Sequence, residues 1–265
     1  MYRVTIAAAI LMATMSCCGP AAHADDFDSL INLELAFRDT ILDTPAPQHY
    51  QALIRDGETT ITFVGDLPGT VGKTDFFLDL DWSYDYRYTA EIIDGNTSVA
   101  VNAMNIQLKP RLRHVIRLPV AFHHAGVWAT PLLAHEFDHV AVSLDPRPRA
   151  LLVHLCRNLP TYRFTINGQT KPSDEPMREG INREIRRRQS AVLDLLRANY
   201  VALDKVSKHG RQAIEQRDEF FETLYTRQNL EAAGFPFLRQ ADSLLASQSY
   251  QRLGPRHLAS PPAAR

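Results

Sequence analysis

His135-Glu136-Phe137-Asp138-His139 sets two imidazoles four residues apart, with a carboxylate beside the first. On a helix that spacing brings both rings to one face, one turn apart, where they can reach a single metal ion. Glu136 then projects next to them without being a ligand, within reach of a proton on a metal-activated water. Zinc suits such a pair, because it accepts imidazole nitrogen, takes tetrahedral geometry and lowers the pKa of a bound water to about 7. The expected chemistry is hydrolysis, with His135 and His139 as ligands and Glu136 as general base. The competing reading is a hydrogen-bonded histidine pair with no metal.

A catalytic zinc ion needs three protein ligands and an open fourth position. Asp145 follows His139 at a spacing some zinc enzymes use for their third ligand. That geometry needs a sharp helix end, usually at a glycine, where this chain has Val142, and Asp145 precedes Pro146 as a helix cap would. His209 stands at the expected end of a long helix, just before Gly210, where the chain can turn back toward the active helix. His209 is therefore favoured over Asp145 as the third ligand. Glu184 and His154 are weaker candidates, while His114, His123 and His124 could touch the site or stabilise an oxyanion.

The motif falls where the hydrophobic period changes. Residues 58–122 alternate as strands do. Thr59 to Val64 is one such run, and Trp82, Tyr84, Tyr86 and Tyr88 share one side of another, with Asp81, Ser83, Asp85 and Arg87 opposite. An aromatic stripe of this kind is a core-facing sheet surface more often than a ligand box. Asp94-Gly95 predicts a hairpin turn between Glu91–Ile93 and Val99–Val101. His114 to Pro119 predicts a further strand, and the proline suggests a sheet edge on which a peptide could add as a strand. From Val127 the spacing turns helical, over Val127 to Leu144, Pro148 to Leu159, Ile181 to Val206, and Gln212 to Ala233 stopped by Gly234. Arg183, Arg186, Arg187 and Arg188 predict a solvated helix face rather than an anion site. The fold expected is α+β, with an antiparallel-rich sheet in the first half packed against the HExxH helix and long C-terminal helices.

Composition narrows the setting. In 265 residues, Lys+Arg 29 against Asp+Glu 30 gives a net charge of -1, with no basic excess to favour nucleic acid or an anionic membrane. No apolar run beyond the N-terminus reaches the roughly 18 residues a membrane span needs. Residues 1–24 have the three-part pattern of a secretory signal peptide: a positive start, an apolar stretch from Val4 to Met15, and Ala22-His23-Ala24 before Asp25. Cleavage there would leave Cys156 as the sole cysteine, unable to pair within the chain. Residues 27–42 predict a short helix, residues 25–254 a single domain, and residues 255–265 a disordered tail.

The motif and its surroundings resemble the HExxH zinc peptidases, the zincins. More narrowly, they are similar to a family of bacterial secreted proteins described as zinc-dependent peptidases. In that family a strand ending in Leu-Pro and a Trp precede HExxH, and a His-Gly dipeptide follows. Here these are Leu118-Pro119, Trp128, His135 to His139, and His209-Gly210, over about residues 99 to 215. The resemblance implies a zincin-like fold and an exported, secreted or periplasmic, peptidase acting on a peptide or protein substrate. Two other readings stay open: a non-enzymatic envelope-associated binding protein on a degenerate zincin scaffold, and a zinc amidase acting on cell-wall links.

Overall fold

The computed structural model describes residues 45–65, 67, 71–122, 126–168 and 171–255, and residues 2–10 as backbone. Its elements run β1 (Tyr2–Ile10), α1 (Gln48–Asp56), β2 (Thr59–Val64), β3 (Lys73–Ile93), β4 (Asn96–Pro119), α2 (Pro131–Leu144), α3 (Pro146–Arg157), β5 (Tyr162–Ile166) and α4 (Asp174–Ser207). Four short helices close the domain: α5 (Arg217–Thr223), α6 (Arg227–Ala232), α7 (Leu238–Leu245) and α8 (Gln248–Gln251). The fold is α+β.

The alternating stretches of residues 73–119 form one long hairpin rather than several short strands. Asp94 and Gly95 turn it with φ of 50° and 77°, the left-handed pair that a tight hairpin turn requires. The sheet order is β1-β3-β4-β2, with β5 also on β4. A register shift between Ser83 and Asp85, opposite Asn105 at φ 53°, lets the long ribbon bend. On one face of β3, Phe76, Leu78, Leu80, Trp82, Tyr84 and Tyr86 are all buried. A side chain such as Leu80, removed from water altogether, contributes roughly 1.5–3 kcal/mol. The aromatic stripe lies against α4, where Trp82 Nε1 and Tyr84 Oη both donate to Asn182 Oδ1, at 3.1 and 3.0 Å.

The His114–Pro119 segment is not an edge. β2 pairs with it in parallel from Thr59↔His114 to Val64↔Pro119, and β3 pairs antiparallel on its other side from Lys73↔Arg117 to Phe76↔His114. Pro119 is tolerated because it is the last residue of the strand, beyond which no ladder needs its missing N–H. Of the expected signal peptide, only Tyr2–Ile10 is described, as a strand running along β3 from Tyr2↔Tyr86 to Ile10↔Leu78. Ala22-His23-Ala24, the expected helix at 27–42 and most of the expected tail lie outside the described residues.

Prolines set the helix boundaries that periodicity blurs. Pro131 is the first residue of α2 and holds Thr130 extended, so Val127–Ala129 forms a separate 3-10 turn. Thr130 Oγ1 accepts the Leu133 N–H. Asp145 caps α3 in the same way, accepting the Arg147 N–H at 2.8 Å. Its carboxylate also holds the buried Arg147 guanidinium at 2.6 Å, and that side chain donates onward to the Phe221 and Glu222 carbonyls. The expected helix over 212–233 is broken into α5 and α6 at Tyr225, whose φ is 62°. Arg188 departs from the solvated face expected of its neighbours. It is wholly buried, donating to Glu184, to the Leu155 carbonyl and to Gln240.

Candidate metal centre

α2 carries the HExxH residues through the middle of the domain. Its outward positions from the motif, Leu133, Phe137, Val140 and Val142, are buried in the core, which fixes the rotation of the helix. His135 and His139 then share the face toward α4, their rings 4.7 Å apart at 71°. Near its end α4 presents Asp204 to that face. Oδ1 of Asp204 stands 3.1 Å from Nε2 of His135 and 3.1 Å from Nε2 of His139. One ligand atom from each of these three residues lies within 4.8 Å of the others, so the group could hold a metal ion.

The electrostatics of the group favour a cation. Burial works against protonation of His135, yet its hydrogen bond to Asp204 and the charges of Glu136, Asp204 and Asp138 outweigh this and raise its pKa. Partial burial would raise the Asp204 carboxyl, but the bonds from His135 and His139 hold it well below the usual carboxylate range. With protons on Nε2 the two imidazoles donate to the carboxylate oxygen; without them the three atoms turn lone pairs toward one point, as a metal requires. Two histidines and one acidic residue are a donor set that catalytic zinc sites use.

Glu136, between the cluster and β3, is felt by both histidines and by Asp204 and is held by β3. It is 2% exposed, its Oε2 accepts from Thr74 Oγ1 at 2.6 Å, and its Oε1 lies over Gly72. A Cβ at Gly72 would come within 2.4 Å of Oε1, so any larger residue there would displace the Glu136 carboxylate. Burial pushes the Glu136 carboxyl up, against the pull of His139, His135 and Thr74. Gly210, at φ 74°, sits against the other side of the cluster, where an added Cβ would fall 2.8 Å from His135 Cβ. Arg217 of α5 closes a further side by pairing with Asp138.

The other candidate ligands are dispersed. His209 follows α4 in a left-handed turn with Lys208 and Gly210, its side chain 68% exposed and its Nδ1 3.6 Å from Asp204 Oδ1. It stands beside the donor group without being one of its three converging atoms, which come from His135, His139 and Asp204. Asp145 is taken up by Arg147 and the α3 cap, Glu184 by Arg188, and His154 by the Gln240 carbonyl. His123 and His124 lie outside the described residues. Asp204 escaped sequence reading because a lone helix aspartate is ordinarily solvated. The available signal was its position near the end of the long helix expected over Ile181 to Val206, five residues before His209.

His114 is bonded into the core and is not one of the converging donors. Its Nδ1 lies 2.7 Å from the Gly57 carbonyl and its Nε2 2.5 Å from Ser143 Oγ. Complete burial pushes its pKa down to about 4, against the raising effect of the Gly57 bond. The unfolded chain takes up this proton near the ordinary value and the folded chain does not. Stability from this group therefore falls as pH drops from about 6.5 to about 4, by up to roughly 3 kcal/mol, and is level below that window. Asp75 and Glu136, raised by burial, act in the opposite sense. Nitrogen-15 spectra should show His114 as the neutral Nδ1–H tautomer at pH 5; titration near pH 6.5 would contradict its burial.

No family model, curated protein or solved structure matches this chain. Geometry is therefore what a functional reading can stand on.

Proposed function

We propose that this chain is an exported zinc-dependent metallopeptidase on a zincin-like fold, with His135, His139 and Asp204 as zinc ligands and Glu136 as general base. The observation that supports the reading best is the convergence of two Nε2 atoms and Asp204 Oδ1 on one point beside a buried carboxylate. Zinc held there would supply Lewis acidity, polarising a carbonyl and bringing the pKa of a bound water toward 7.

The remaining work falls to the chain's own residues. Thr74 holds Oε2 of Glu136 by donating to it, which leaves Oε1 to take up a proton from water and pass it to the leaving amine. Burial raises the affinity of that carboxylate for the proton, as a base working near neutrality requires. Asp204 is half-buried and His209 is exposed, so solvent reaches the donor group from the α4 side. Substrate would approach there.

The test is hydrolysis of a peptide mixture by the mature chain. Activity should vanish on dialysis against a chelator and return with about one zinc per chain. A chain that binds zinc but cleaves neither peptides nor cell-wall amides would be a binding protein on this scaffold.

A further inference from the structure

Histidines that ligate a metal almost always have the second ring nitrogen held by a carboxylate, a carbonyl or water. Here Nδ1 of His135 and Nδ1 of His139 are both buried, and neither has a hydrogen-bond partner among the described residues. Besides the contact of each Nε2 with Asp204, packing around the ring sets its orientation. For His139 the packing group is Tyr200, one turn before Asp204 on α4, whose ring lies 4.5 Å from the imidazole at 47°. The Phe76 ring of β3 also packs on Tyr200, 5.0 Å away at 57°.

Tyr200 is itself fixed by a polar chain. A carbonyl can only accept, so His114 donates from Nδ1 to Gly57 and its Nε2 is an acceptor. Ser143 Oγ must then donate its proton to His114 Nε2, and it accepts in turn from Tyr200 Oη at 3.3 Å. Ser143 follows His139 by one turn on α2, so a single hydroxyl joins the two helices that carry the donor group to the centre of the sheet. His114 and Ser143 are buried and Tyr200 is partly so, with desolvation pushing the tyrosine's pKa up.

We propose that Tyr200 is a positioning residue that holds the His139 imidazole in its metal-binding orientation, itself held by the Ser143–His114 chain. The idea rests on the metal reading above. It assigns to an aromatic ring the task that a hydrogen bond to the second nitrogen usually performs. One consequence is that the ring matters more than the hydroxyl. Tyr200→Phe keeps the packing and Tyr200→Leu removes it.

Cobalt(II) is the probe, because its d–d absorption reports coordination geometry. In the full chain, Tyr200→Leu should weaken cobalt binding by about 10- to 100-fold, the range seen when a ligand loses its outer support, and should shift the d–d envelope. Tyr200→Phe should restore most of the affinity. Leu196→Ala, a core deletion on the same helix, should lower the melting temperature yet leave the envelope unchanged. If Tyr200→Leu does not fold, Tyr200→Phe and Ser143→Ala decide the matter, each expected to show a smaller envelope shift in a common direction. An envelope unchanged in Tyr200→Leu, or in both milder variants, overturns the proposal, as does an equal shift in Leu196→Ala. A parent chain that binds no cobalt would instead overturn the metal reading, and this proposal with it.

Discussion

Asp204→Ala should all but abolish zinc binding, a loss well beyond the roughly 10- to 100-fold that follows removal of a group behind a ligand. Its Oδ1 is the atom both imidazole Nε2 groups face at 3.1 Å, and no other carboxylate joins that group among the described residues. His209→Ala should retain the metal, because its ring is exposed and is not among the three donors that converge. Metal content after dialysis, with zinc titration of each variant, decides between them. If His209→Ala empties the site and Asp204→Ala does not, the third ligand is His209. Protons compete for the same Nε2 atoms, so zinc affinity should fall as pH drops below the raised pKa of His135.

Glu136→Gln should leave zinc bound and the fold intact while lowering the hydrolytic rate by about 100- to 10,000-fold, the usual contribution of a general base. Glutamine preserves shape and can still accept from Thr74 through its amide oxygen, so the buried bond to β3 survives. What disappears is the capacity of the carboxylate to take up and return a proton. The comparison is of kcat and bound zinc in the two proteins. A variant as active as its parent would assign the base elsewhere.

The histidine pair was legible because a helix converts sequence spacing directly into geometry. His135 and His139 are four residues apart, and any helix through them brings their rings together. The hairpin turn at Asp94-Gly95 and the buried stripe of Trp82, Tyr84 and Tyr86 were legible for the same kind of reason. Turn residues and period-two alternation are local rules that chain neighbours enforce.

What the sequence alone determined about this protein is thus the HExxH helix, the α+β order of its elements, and a long later helix able to run along the active one. Which residue of that helix meets the histidines was decided by tertiary structure. Asp204 Oδ1 stands 3.1 Å from both because α4 extends to Ser207 and only then turns through Lys208, His209 and Gly210, leaving the His209 ring exposed while Gly210 packs on His135. The standing of His114–Pro119 as an inner strand was decided in the same way, by β2 arriving in parallel from an earlier part of the chain. Both outcomes depend on contacts between segments far apart in sequence. Such contacts are set by how whole faces bury together, and no spacing within one segment encodes them.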